Sequence, residues 1–160
     1  MTDTGLDYLS PTRRQFVVTV TGLAATMAAA PALAQSSPAA MGAAIFKVTR
    51  GATVKAGKVK LDVPPLSENG NAVAMGVAVD SPMSTTDYVK AIHVFTEKNP
   101  QPNVISIQLG PRAGVASIQT RIRLADTQTV VAIAEMSDGS FWQDSGDVVV
   151  TLGACLEDNL

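Results

Sequence analysis

Ser117-Ile118-Gln119-Thr120-Arg121-Ile122-Arg123-Leu124 is the most regular stretch of the chain. Successive side chains of an extended backbone point to opposite faces, so Ile118, Ile122 and Leu124 face a core while Gln119, Arg121 and Arg123 face water. This is a half-buried β-strand. A few residues on, Val130-Val131-Ala132-Ile133-Ala134 is apolar on both faces. That is the pattern of a central strand, or of one whose outer face is covered by another chain.

Working outward, the same β-branched or alternating character returns at Lys58–Val63, Ala72–Val79, Val89–Thr96, Val104–Leu109, Ala116–Leu124, Thr127–Met136 and Asp147–Leu152. Turn chemistry separates these runs at Pro64-Pro65, Asn69-Gly70-Asn71, Asp80-Ser81-Pro82, Asn99-Pro100, Gly110-Pro111 and Ser137-Asp138-Gly139-Ser140. Strands at this spacing, with no long helical period between them, predict an all-β, immunoglobulin-like antiparallel β-sandwich. One short helix is expected over Met41–Arg50, with Ile45, Phe46 and Val48 as its apolar anchors, after a flexible lead at Gln35–Ala40. The sandwich is expected over residues 58–152, preceded by the lead and helix at 35–57 and followed by a C-terminal arm at 153–160.

Composition narrows the function. The chain has 160 residues, enough for one core, with 12 Lys and Arg against 14 Asp and Glu. A net charge of −2 with only 16% charged residues provides no polycationic face for nucleic acid. There is one cysteine and one histidine, so neither an intrachain disulfide nor a Cys/His metal cluster can form. No cofactor is expected.

The first 34 residues read as an export address. Thr12-Arg13-Arg14-Gln15-Phe16 precedes an uncharged stretch from Val17 to Ala30, and Ala32-Leu33-Ala34 has the small-x-small form of a cleavage site. Paired arginines followed by x-Phe resemble a twin-arginine signal, which is read by a receptor and is not a physical anchor. The uncharged stretch is shorter than the roughly 20 residues of a membrane-spanning helix. The expected location is the periplasm, with no membrane anchor. Removal of residues 1–34 takes away two arginines and two aspartates, so the charge of −2 belongs to the mature chain.

The single thiol, Cys155, sits six residues from the end, after Gly153 and Ala154 and before Leu156. Free cysteines usually pack inside a core. This one follows the last strand, where Gly153 and Ala154 have little side chain to pin the backbone, and a mobile tail is expected. Three extended residues beyond Leu152 carry the thiol about 10 Å outward. A competing reading has Cys155 and Leu156 docked back into a groove. Leu152-Gly153-Ala154-Cys155 also has the form of a lipoprotein signal, but lipid attachment needs that form just after an N-terminal signal helix.

Several segments together are similar to the SoxY family: Glu68-Asn69-Gly70-Asn71, Asp80-Ser81-Pro82-Met83, Lys90-Ala91-Ile92-His93-Val94-Phe95, Lys98-Asn99-Pro100, Thr120–Ala125, Ala134–Gly139 and the terminal Val149–Cys155. The resemblance runs from about Ala43 to Cys155. It implies an immunoglobulin-like sandwich that pairs with a SoxZ-like subunit as a heterodimer. It also implies that intermediates of thiosulfate oxidation are held covalently on the arm cysteine, here Cys155. The partners it implies are a haem c enzyme that joins thiosulfate to the thiol and a sulfate-releasing hydrolase, with a sulfane dehydrogenase as a further candidate. The carrier performs no catalysis of its own. It needs a thiol able to become a thiolate and an arm able to enter several active sites.

The tip departs from the family's usual Gly-Gly-Cys-Gly-Gly. Gly153 and Ala154 precede Cys155, and Leu156-Glu157-Asp158 follow it. Leu156 stiffens and widens the arm where the family has no Cβ. Glu157 and Asp158 disfavour a thiolate and repel anions, within the limits of screening over about 8 Å. The sequence therefore suggests a variant branch with an Ala-Cys-Leu-Glu arm.

The rival reading is a non-catalytic interaction or scaffold sandwich whose Cys155 is structural or forms an intermolecular disulfide. An enzyme is disfavoured, because no nucleophile is paired with a base. His93 reads as a hydrogen-bonded structural histidine, Phe141-Trp142 as rim packing, and Met75, Met83 and Met136 as core fillers. Arg112 reads as a solvated charge in a turn.

Overall fold

The computed structural model describes residues 37–154; residues 1–36, which include the expected export address, and residues 155–160 lie outside this range. One helix, α1 (Pro38–Thr49), comes first. Ser37 starts it, its side chain accepting a hydrogen bond from the Ala40 amide, and Pro38 supplies a preset φ at the first helical position. The helix thus begins three residues earlier than expected, and Pro38–Ala40 is helix where a flexible lead was expected. It ends at Arg50 and Gly51, both with positive φ.

Nine strands follow: β1 (Val54–Ala56), β2 (Val59–Asp62), β3 (Leu66–Ser67), β4 (Val73–Val79), β5 (Val89–Thr96), β6 (Asn103–Gln108), β7 (Ser117–Ile122), β8 (Gln128–Met136) and β9 (Phe141–Val150). They form two sheets, an immunoglobulin-like sandwich. The larger runs β1-β9-β8-β5-β6, with β3 also on β9, and the smaller runs β2-β4-β7. The seven expected strands are all present and pair antiparallel with one another.

Two features of the large sheet differ from expectation. β1 and β3 are additional short strands, and both pair with β9 in parallel. Between them the chain crosses to the small sheet as β2, so residues 54–67 wrap over one edge of the sandwich. β9 also starts at Phe141 and not at Asp147. Gln143-Asp144-Ser145-Gly146 lacks the composition of a strand, yet it pairs residue by residue with β8. Its residues serve the crossing chain: Asp144 accepts the Leu61 amide at 2.8 Å, and Gly146 leaves room for Val63.

The core lies between the sheets. Val73, Met75, Val77 and Val79 of β4 meet Ile92 and Val94 of β5, Val130, Ala132 and Ala134 of β8, and Val148 and Val150 of β9. Ile122 and Leu124 are buried with them and Ile118 is half-buried, while Gln119, Arg121 and Arg123 are exposed. A second cluster, Phe95, Val131, Ile133 and Phe141, occupies the outer face of the large sheet, and Met41, Ala44, Ile45 and Val48 of α1 pack onto it. The doubly apolar run in β8 is therefore covered on its outer face by the chain's own helix. Phe46, expected to anchor that helix, is instead 65% exposed and lies against Gly51. Among the described residues no helix is long and apolar enough to cross a membrane.

Candidate functional site: the root of the C-terminal arm

The arm leaves the body through a chain of main-chain hydrogen bonds. Along β9 and beyond it, the Val149 amide donates to the Pro65 carbonyl at 2.9 Å and the Thr151 amide to the Ser67 carbonyl at 3.1 Å. The Thr151 hydroxyl donates to the Glu68 carbonyl. The Leu152 carbonyl then accepts the Gly70 amide at 2.7 Å, the Gly70 carbonyl accepts the Leu124 amide at 2.8 Å, and the Leu124 carbonyl accepts the Ala154 amide at 3.0 Å. Gly153 is buried and Ala154 half-buried. Up to Ala154 the arm is thus fastened to the body, where its small side chains alone suggested a mobile tail from Gly153 onward. The fastening is made by backbone groups, which need no side chain to find partners.

Gly70 sits at the centre of this junction. A Cβ there would lie 2.3 Å from the Leu124 carbonyl oxygen, 2.9 Å from the Ala154 nitrogen and 3.0 Å from the Leu152 oxygen. Three strands of main chain converge where only glycine fits. Asn69 turns the chain into this position, its side chain accepting the Asn71 amide at 2.8 Å.

Asn99 supports the junction from the other side. Its Nδ2 donates to the Arg123 carbonyl at 2.8 Å and its Oδ1 accepts the Ala125 amide at 3.0 Å, so the two neighbours of Leu124 are held by one carboxamide. Gln128 Nε2 donates to the same Oδ1, and Gln128 Oε1 accepts the Lys98 amide at 2.7 Å. Asn99 and Gln128 are both buried. A buried carboxamide with its oxygen and nitrogen both engaged is held rigidly. The sequence marks Asn69-Gly70-Asn71 and Asn99-Pro100 as turns and as part of the family resemblance; that both brace the arm follows from pairings more than twenty residues apart.

Cys155 and Leu156 lie outside the described residues, while Gly153 and Ala154, the other two arm residues singled out in the sequence, are placed as above. Covalent geometry still sets the thiol's reach: the Cys155 Cα is about 3.8 Å from that of Ala154. The surface beside the root mixes exposed polar residues, Glu68, Asn69 and Thr151, with exposed apolar ones. Leu66 and Val149 are in-register neighbours across β3 and β9. Leu66 is 54% exposed, Val149 48% and Leu152 47%.

The remaining candidates have structural roles. His93 is buried in β5 with Nδ1 2.9 Å from Ser106 Oγ, which is itself bonded to Asn103. Burial pushes the imidazole below its ordinary value, opposed by the charge of Glu135. Met75, Met83 and Met136 are core residues. Phe141 packs under α1, and the Trp142 ring lies beneath the Lys55 and Lys58 ammoniums, at 5.6 and 5.4 Å. Arg112 is exposed in a 3-10 turn. An open cavity of about 870 Å³ lies on the small sheet, lined by Asp62, Ala74, Gly76, Gln119 and Arg121 among others. Among the described residues no three His, Cys, Asp or Glu side chains gather as a metal site.

The family model described as sulfur oxidation protein SoxY matches residues 44–155, from within α1 to the cysteine. The sulfur carrier protein SoxY from Chlorobium limicola f thiosulfatophilum has a similar structure, with a TM-score of 0.59 and 25% identity over 70% of this chain and 96% of that one. A superoxide reductase (neelaredoxin) from Ignicoccus hospitalis shares the fold alone, with a TM-score of 0.52 and 12% identity over 72% of this chain and 94% of that one. No curated protein matches the chain. With the match spanning well over half of its length and closing on the thiol at the end of the braced arm, this chain belongs to the SoxY family.

Proposed function

We propose that this chain is a periplasmic carrier that holds sulfur intermediates covalently on Cys155 and presents them to partner enzymes, working as a heterodimer with a SoxZ-like subunit. The observation that carries the reading is the family match ending at Cys155, one residue beyond a body that fastens Ala154 by its backbone. The twin-arginine form of Thr12–Phe16 supports export.

Loading joins the Cys155 sulfur to the sulfane sulfur of thiosulfate. One S–S bond forms, the thiol proton goes to solvent, and two electrons pass to the haem c enzyme. The hydrolase then adds water across the terminal sulfone linkage, releasing sulfate and leaving a persulfide. A sulfane dehydrogenase is the proposed oxidant of that remaining sulfur. In none of these steps does the carrier supply an acid, a base or a metal. Leu156, Glu157 and Asp158 make the tip wider and more anionic than Gly-Gly, which favours partner enzymes adapted to this branch.

Intact-mass measurement of the mature chain with its SoxZ-like subunit, after incubation with thiosulfate and the haem c enzyme, tests the proposal. An adduct on the wild type that is absent from Cys155→Ser is expected. An unmodified wild type, or an adduct that persists in Cys155→Ser, overturns it. Native-state alkylation separates it from the scaffold reading, in which a docked or disulfide-linked cysteine resists modification.

A further inference from the structure

We infer that Asn99 is a positioning residue for the loading of Cys155: its carboxamide sets where the Leu124 carbonyl stands, and that carbonyl sets where a partner enzyme finds the thiol. The inference rests on the carrier reading and deepens it by naming a residue of the body that acts on the arm through another.

Two peptide planes carry the geometry. β7 ends its pairing with β4 at Ile122 and β8 begins at Gln128, so Leu124 stands outside both strand ladders. In the plane joining Arg123 to Leu124, the N–H donates to the Gly70 carbonyl and the C=O accepts from Asn99 Nδ2. In the plane joining Leu124 to Ala125, the C=O accepts the Ala154 amide and the N–H donates to Asn99 Oδ1. The C=O and N–H of a trans peptide are fixed in one rigid plane and point opposite ways. Asn99 therefore holds from one side the same two planes that the arm junction uses on the other, and a plane that turns off Asn99 swings the Leu124 carbonyl away from Ala154. Asn99 is itself preset: Pro100 after it disfavours a helical backbone, and Gln128 Nε2 holds its Oδ1 at 3.0 Å. The task needs one donor and one acceptor on a short stem, which a carboxamide has and a carboxylate lacks. Cys155 lies one residue past the fastened amide and inherits any displacement of it, and a misplacement of about 1 Å can cost on the order of 100-fold where reacting atoms must be aligned.

Hydrogen exchange at the Ala154 amide and loading by the haem c enzyme test this together, on the mature chain in complex with its SoxZ-like subunit. Asn99→Asp keeps the shape and the acceptor and removes the donor to Arg123. Asn99→Ser carries no charge and keeps the test open if a buried carboxylate prevents folding. Val77→Ala, a truncation in the inter-sheet core, is the control for lost stability alone. Both Asn99 variants are expected to exchange faster at Ala154 and to be loaded with a kcat about tenfold lower, with KM for the carrier kept. Their reaction with a small disulfide reagent should not be slowed, and Val77→Ala should keep the wild-type kcat. Unchanged exchange at Ala154, faster exchange without a fall in kcat, a raised KM alone, slowed reaction with the small reagent, or an equal fall of kcat in Val77→Ala each overturns the inference and leaves the carrier reading standing. Failure of the wild type to be loaded at all overturns both.

Discussion

At the scale of single residues, His93 is a buried titratable group on a strand of the large sheet. Its pairing with Ser106 gives it a hydrogen-bond partner, and burial disfavours its charged form. The folded protein therefore binds this proton less readily than the unfolded chain, whose histidine titrates near the ordinary value of 6.5. Between the depressed folded value and 6.5 the unfolded state carries more protons, so stability falls as the pH drops through that window and levels off below it. Urea midpoints at about pH 7.5 and about pH 5.5 should move apart in the wild type and less so in His93→Gln, which cannot titrate. Equal displacement in both proteins would assign the pH dependence to other groups. The carboxyls of Asp126 and Asp138 do not confuse the comparison, because Lys98 beside the first and Ser140 beside the second hold both below the usual range.

The decisive element is the turn at Asn69-Gly70-Asn71. Substituting Gly70 by alanine places a methyl group against backbone atoms of Leu124, Ala154 and Leu152, none of which can rotate aside. Overpacking of this kind costs about 1–3 kcal/mol, with the upper part of that range expected for backbone neighbours. Gly70→Ala should lower the urea midpoint accordingly and make the segment after Leu152 more sensitive to limited proteolysis. Wild-type cleavage kinetics in a destabilised variant would show that the arm is not held at this turn. Elements of this sort define what the sequence could tell. Ser117–Leu124 and Val130–Ala134 announce their faces because burial on one or both sides leaves a period of two or an unbroken apolar run. The first half of β9 does not, since its Asp144 and Gly146 answer to a crossing strand and not to the core. β1 and β3 are too short to carry a period at all. Cys155 is legible by its solitude and its place, whereas the bracing by Asn99 and Gly70 depends on main-chain groups that have no letter in the sequence.

At the scale of the whole described body, three layers stack: the small sheet, the large sheet and α1 over its outer face. The helix contributes little by its own pattern, with Ala39, Ala40, Gly42 and Ala43 exposed, and is held by Met41, Ala44, Ile45 and Val48 against Phe95, Val131, Ile133 and Phe141. Deleting residues 37–49 from the mature chain should uncover that cluster, raise binding of an apolar dye and promote association, while leaving the inter-sheet core folded. A monomeric deletion variant with unchanged dye binding would mean that the outer face is covered by something other than the helix. The main-chain fastening at Ala154 has a consequence for how such a molecule diversifies. A socket built from peptide groups accepts any segment that can adopt the same backbone, so on the carrier reading proposed above the residues beyond it are free to change without altering the handle. Proline at position 154 is the evident exception, because it has no N–H to offer Leu124.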